Sequence, residues 1–142
     1  DADVAAVPGR IVRVGEQAEA LHDPAFGASR HIAKVILAVM SFDVDYRSAM
    51  NICFSEEVLD ALRTLGYRMA SFDRADEPPD VKAREGSSLE WGTVHALKRF
   101  NGVPDAVFDR GDIGKEPMIR VLGRNPAEVA EKVLRVSKAL RK

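Results

Sequence analysis

The sequence predicts an α/β domain in which helices cover a sheet. Three observations carry this. Short strand-like runs alternate with segments of helical spacing along the chain. The helical segments have readable starts at Ser29, Ser55 and Asn125, and readable stops at Gly66 and Asn101-Gly102. The chain has 142 residues, 46% of them apolar, which is one domain's length and enough for one sizeable core.

Residues 1–8 read as a lead-in ending at Pro8-Gly9. Arg10-Ile11-Val12-Arg13-Val14 alternates polar and apolar, as a strand closed by Gly15 does. Residues 16–22 suit a second short strand, and Pro24 and Gly27 bracket a loop. Ser29 caps a helix from Arg30 to about Phe42, with Ile32, Ile36, Val39 and Met40 as its buried stripe. Ala49 to Phe54 reads as a buried strand, although Met50-Asn51-Ile52-Cys53 also suits a helix.

Ser55 caps the next helix, with Glu56 and Glu57 in its first turn, where negative charge is favoured. Val58, Leu59, Leu62 and Leu65 are its apolar face, and Gly66 stops it. Tyr67 to Phe72 is a strand that runs into Asp73-Arg74. Residues 75–88 form the longest irregular segment, with a short helix near 80–84 after Pro79. Ser88 opens a helix through Phe100, in which Trp91 packs. Ala106-Val107-Phe108 and Met118 to Leu122 are strands on either side of a charged loop. Asn125-Pro126-Ala127-Glu128 sets a cap, a proline and an acid at a helix start, and Val129, Val133, Val136 and Leu140 repeat behind it.

Composition excludes several functions. Net charge is −1, with 30% charged residues of both signs. A duplex-binding surface carries a basic excess, so no nucleic acid contact is expected of this domain. No apolar run reaches transmembrane length, and no signal peptide is readable, so no membrane partner is expected. The single cysteine, Cys53, allows no internal disulfide, fits a reducing cytoplasmic compartment, and reads as a small buried hydrophobe. Three dispersed histidines do not make a zinc site. The chain opens on Asp1 rather than Met, so a processed terminus or a piece of a longer polypeptide is expected.

Chemistry concentrates in the loop Asp109-Arg110-Gly111-Asp112-Ile113-Gly114-Lys115-Glu116. So charged a loop between two buried strands suits a phosphorylated ligand. It is not a Walker A loop, because GxxxxGK[ST] is absent. Gly111 and Gly114 permit close backbone approach, Lys115 is a point charge, and Arg110 and Arg120 offer forked donors. A charged hairpin with internal ion pairs would read the same way.

The second candidate is Gly27-Ala28-Ser29 entering the helix at Arg30-His31, where backbone amides can face an anion. An ordinary capped helix would look alike. His31 in the first turn is disfavoured as imidazolium by the helix dipole and suits a neutral donor or acceptor. Asp73, Arg74, Asp76 and Glu77 form a mixed cluster: a solvated turn, or carboxylates for Mg²⁺, which takes one or two of them plus substrate phosphates.

Taken together, these segments resemble the ThiN-type thiamine-phosphate synthase domain of archaea and some bacteria. The resemblance rests on Val7-Pro8-Gly9-Arg10-Ile11, Phe26 to His31, Ala49-Met50-Asn51-Ile52, Ser71-Phe72-Asp73-Arg74 with Glu77-Pro78, Val103-Pro104-Asp105, and Gly111 to Ile119. Each piece is short, but the ordered set spans nearly the whole chain, so residues 1–142 are expected to be a single such domain within a longer polypeptide.

The resemblance implies a three-layer α/β/α sandwich around a mixed, largely antiparallel sheet, related to class II aldolases. It implies a transferase that joins hydroxymethylpyrimidine diphosphate to thiazole phosphate, releasing pyrophosphate, with Mg²⁺ assisting. It places the family's arginine and histidine on Arg10 and His31. The residues themselves suggest phosphate contacts from Gly27, Ala28, Ser29, Arg110, Gly111, Gly114 and Lys115. Asn51 would meet the pyrimidine edge, and Asp73 and Glu77 would be the metal candidates. A fused kinase or DNA-binding domain upstream and a homodimer are the implied partners. The alternative is a non-catalytic thiamine-phosphate sensor of a transcriptional regulator. An aldolase-type lyase would need a cluster of metal-binding histidines that the sequence lacks.

Overall fold

A computed structural model describes residues 4–9, 11–83 and 88–141. Arg10 and Arg84 lie outside the described residues. Four short strands come first: β1 (Ala5–Ala6), β2 (Ile11–Val14), β3 (Gln17–Ala20) and β4 (Ala25–Phe26). Then follow α1 (Arg30–Met40), β5 (Ser48–Cys53), α2 (Glu56–Thr64), β6 (Met69–Ser71), α3 (Pro79–Ala83), α4 (Ser88–Phe100), β7 (Ala106–Asp109), β8 (Met118–Gly123) and α5 (Pro126–Leu140). A 3₁₀ turn at Arg74–Asp76 lies between β6 and α3.

The central sheet is mixed and runs β5-β8-β7-β6. The β5–β8 and β8–β7 pairs are antiparallel and β7–β6 is parallel. Side chains alternate across its two faces. Ala70, Val107 and Leu122 pack with Val35 and Val39 of α1 and Ala96 and Leu97 of α4. Ala106, Ile119 and Val121 pack with Leu59 and Leu62 of α2 and Val129 and Val136 of α5. The result is two helices on each face of one sheet.

The caps work as the sequence predicts. Ser29 Oγ accepts from the Ile32 amide, Ser55 Oγ from Val58, and Asn125 Oδ1 from Glu128. Three expectations need correction. The 24–27 loop contains β4, which pairs with β1 out of the supposed lead-in. The buried stripe of α1 is Ala33, Val35, Ile36, Ala38 and Val39, while Ile32 and Met40 are only half-buried. The stripe is wider because α1 is flanked by both α4 and β5. Cys53 is exposed rather than buried, because it ends an edge strand.

The described residues before Ser29 differ from the rest. The two-stranded β2–β3 and β1–β4 ribbons stand apart from the four-stranded sheet. Ile11, Val14, Leu21 and Phe26 are all at least half exposed there. No helix among the described residues is long and apolar enough to cross a membrane.

Candidate functional site

A cavity of about 320 Å³ opens on the α1/α4 face of the sheet. Strand alternation decides which side chains reach it. In β8, Ile119 and Val121 point to the α2/α5 core, so Met118 and Arg120 point the other way, into the cavity. Asn51 is the cross-strand partner of Arg120, and it lines the cavity beside it. The first turns of α1 contribute His31 and Val35. Leu89 of α4, and Lys115 and Glu116 before β8, complete the rim.

The floor is charged and almost sealed. Asp109 ends β7 with its side chain wholly buried. Its Oδ1 accepts from Arg74 Nε at 3.0 Å and from the Gly111 amide at 2.9 Å. Its Oδ2 accepts from Arg120 Nη1 at 2.7 Å. One carboxylate thus anchors two buried arginines, and both line the cavity. Such charge-assisted bonds are strong, and loss of the shared partner would strand two cations in a low dielectric. Burial lowers the Arg120 pKa; the hydrogen bond and charge of Asp109 oppose that, and the Arg74 charge adds to it. The guanidinium nevertheless stays protonated at any working pH.

Phe72 is the other support. Its ring centroid lies 5.9 Å from Arg74 Cζ and 5.7 Å from Arg120 Cζ. The ring has room because residue 92 is glycine: a Cβ there would sit 2.4 Å from Phe72 Cε2. A glycine inside a helix costs about 1 kcal/mol relative to alanine, and here that cost makes space for an aromatic ring. Trp91 meets Phe72 edge-on and stacks on His95.

Of the residues expected from sequence, His31, Asn51 and Lys115 come together at this cavity although they are far apart in the chain. Arg10 lies outside the described residues. Gly27, Ala28 and Ser29 precede His31 but are absent from the lining. The Gly27 amide donates to Val4 O, and the Ser29 side chain is used as the cap.

The glycine loop departs from the expected role. The Asp112 amide donates to Lys115 O and the Lys115 amide to Asp112 O. The Ile113 amide is taken by Asp112 Oδ1, and that of Gly111 by Asp109 Oδ1. These four amides serve the turn and are not offered to an anion. Gly111, at φ 79°, is required because a Cβ would lie 2.5 Å from Lys115 O. Gly114, at φ 72°, closes the same turn, where a left-handed conformation favours glycine.

Arg110 faces away. It pairs with Glu56 and lies over the Phe54 and Phe108 rings, which belong to the α2/α5 side. Asp73 and Glu77 do not fit a metal site. Asp73 caps the 3₁₀ turn by accepting from the Ala75 amide, and buried Glu77 accepts from Ser88 Oγ at 2.5 Å. Among the described residues, no group of three or more His, Cys, Asp or Glu could hold a metal ion. Asp73 and Glu77 are absent from the cavity lining, where Glu116 is the one carboxylate among the described residues.

Asp109 was visible in the charged loop and Arg74 in the mixed cluster, but neither had a role in the site; Gly92 was missed and Arg120 undervalued. Signals existed: an aspartate closing an apolar strand, an arginine centred in another, and a mid-helix glycine.

Comparisons with known proteins give the family. Residues 1–135 match the family described as thiamine-phosphate synthase ThiN. Over 142 residues the chain is 43% identical to the thiamine-phosphate synthase ThiN of Methanothermobacter thermautotrophicus, covering 98% of this chain and 75% of that protein. It is 45% identical to the bifunctional thiamine biosynthesis protein ThiDN of Methanocaldococcus jannaschii, covering 92% of this chain but only 30% of the longer relative. The crystal structure of the C-terminal domain of a phosphomethylpyrimidine kinase superposes with a TM-score of 0.86 at 43% identity, covering 94% of this chain and 75% of that one. On the family match and these identities, the chain belongs to the ThiN thiamine-phosphate synthase family.

Proposed function

We propose that this chain is a transferase that joins hydroxymethylpyrimidine diphosphate to thiazole phosphate, giving thiamine phosphate and pyrophosphate. The observation that carries this is convergence: His31, Asn51 and Lys115 share one cavity with two buried arginines, in a chain of this family. In the reaction, the bond from the pyrimidine methylene carbon to the diphosphate oxygen breaks, and its electron pair leaves with the diphosphate. The thiazole nitrogen forms the new bond to that carbon, and no proton need be lost.

The developing negative charge requires fixed cationic donors in a water-poor site. Lys115 at the rim supplies one. His31 stands on the α1 wall, where it donates a hydrogen bond or a proton to the departing oxygen. Asn51 offers an amide to the pyrimidine edge. Arg10 keeps its place as a diphosphate ligand on the family resemblance. Mg²⁺ would accompany the diphosphate and neutralise part of its charge. The protein donors described above do not form a metal cage, so its ligands would come from substrate and water, and no step is routed through it.

Four further readings belong with this proposal. The sandwich is related to class II aldolases. The domain lies within a longer polypeptide, with a kinase or other domain upstream; its likeness to the C-terminal domain of a phosphomethylpyrimidine kinase supports this. The enzyme works in the cytoplasm. A second copy covers the exposed apolar side chains of the N-terminal ribbons, since two-stranded ribbons are marginal alone; analytical ultracentrifugation reads this directly, and a monomer at micromolar concentration rejects it.

The deciding experiment mixes both substrates with Mg²⁺ and measures thiamine phosphate and pyrophosphate. Stoichiometric formation of the two is expected. Tight product binding without turnover would replace the enzyme by a sensor.

A further inference from the structure

We propose that Arg74 and Arg120, held apart by the shared carboxylate of Asp109 and backed by Phe72, form the floor that binds the diphosphate. Naming the anion as the diphosphate rests on the transferase reading above; the anion site itself rests on geometry.

Each arginine spends one nitrogen on Asp109: Nε of Arg74 and Nη1 of Arg120. A guanidinium has five N–H donors. Among the described residues, the remaining donors of these two have no protein acceptor. They are not sealed off either. Among the described residues, the one fully enclosed side-chain polar atom without a partner is Thr93 Oγ1. Arg74 and Arg120 line the cavity, so their free donors open into it.

The electrostatics point the same way. Two guanidiniums against one carboxylate leave a surplus positive charge, on residues 7% and 4% exposed. At the rim the Lys115 charge is balanced by Glu116, so the surplus sits on the two floor guanidiniums. If the floor served only stability, a single arginine would neutralise Asp109, and the second would cost desolvation for no return. A polyanion removes that conflict. It also fits the fork geometry, since guanidinium donors match phosphoryl oxygens in pairs. The arginines are already ordered by Asp109 and Phe72, so little side-chain freedom is lost on binding. A donor set fixed before the bond breaks is what a leaving diphosphate needs.

The test uses the full chain with inorganic pyrophosphate and, separately, inorganic phosphate, by isothermal titration. Arg74→Lys and Arg120→Lys keep the charge but lose the fork. Each is expected to weaken pyrophosphate binding about 10-fold or more, from the ordinary strength of a hydrogen bond to a charged group. Pyrophosphate should bind more tightly than phosphate to the unaltered chain. Arg63→Gln, which removes an exposed cation paired with Asp60 on α2, should bind as the unaltered chain does. Unchanged pyrophosphate affinity in both lysine variants, with melting temperatures retained, overturns the inference. If a lysine variant fails to fold, a crystal of the unaltered chain grown with pyrophosphate decides. Phosphoryl oxygens bonded to both guanidiniums support the floor, and an anion seated elsewhere rejects it.

Turnover measured on the same samples separates the two claims. Fork-dependent pyrophosphate binding without thiamine phosphate formation keeps the anion floor and removes the transferase reading. Turnover with fork-independent binding does the reverse.

Discussion

Asp109 and Arg110 are neighbours in the chain, yet they belong to different systems. Asp109 is buried and serves two arginines on the α1/α4 side. Arg110 is exposed and meets Glu56 on the α2/α5 side. Both are acid–arginine contacts, but their energetic meaning is opposite. A buried charge cannot turn to water when its partner is lost, whereas an exposed one can. Contact type alone therefore does not say which pair matters; the face of the sheet and the depth do.

Four substitutions test that contrast. The largest effect is expected from Asp109→Ala, which leaves two guanidiniums uncompensated and should cost about 3–5 kcal/mol of stability, read by urea denaturation. A loss below about 1 kcal/mol would mean that water already reaches this floor. His31→Ala should lower kcat about 100-fold, equivalent to about 2.7 kcal/mol of barrier. Its melting temperature should not change, because His31 is exposed. Turnover equal to the unaltered chain would remove His31 from the reaction.

Gly92→Ala should destabilise by about 1–3 kcal/mol through overpacking against Phe72, outweighing alanine's better helix propensity. Pyrophosphate affinity should fall with it, since Phe72 backs both arginines. A more stable variant would show that the ring has another place to go.

The smallest effect is expected from Glu56→Gln. The hydrogen bond from Arg110 holds the Glu56 carboxyl below its ordinary pKa, with desolvation opposing and the Arg110 and Arg63 charges assisting. A depressed carboxylate contributes stability above its unfolded pKa and loses that contribution as pH falls through its folded pKa. Any melting difference from the unaltered chain should therefore be small at neutral pH and vanish in acid. A large neutral-pH difference would erase the distinction between the two acid–arginine systems.

Much of the fold was legible without coordinates. The Ser29, Ser55 and Asn125 caps are local chemistry, and they start helices where the spacing of apolar residues predicts. The strands at 48–53, 106–109 and 118–123 follow from short apolar runs. The N-terminal ribbons were half read, because pairing of Ala5–Ala6 with Ala25–Phe26 depends on chain reversal rather than on local pattern. The order β5-β8-β7-β6 was not readable, since hydrogen-bonded neighbours need not be sequential.

The same division holds for the site. The class of chemistry was already legible in the residue pattern, which resembles one family's, and the family match agrees. The charged loop was the best clue, and it does contribute Lys115. Packing alone reveals that four of its amides close their own turn, that Arg110 faces away, and that Arg74, Asp109 and Arg120 meet beside Phe72. The physical reason is that a one-residue step along a strand reverses the face a side chain joins. Which face is buried, and against which helix, is settled by contacts between segments that the sequence keeps 35 and 11 residues apart.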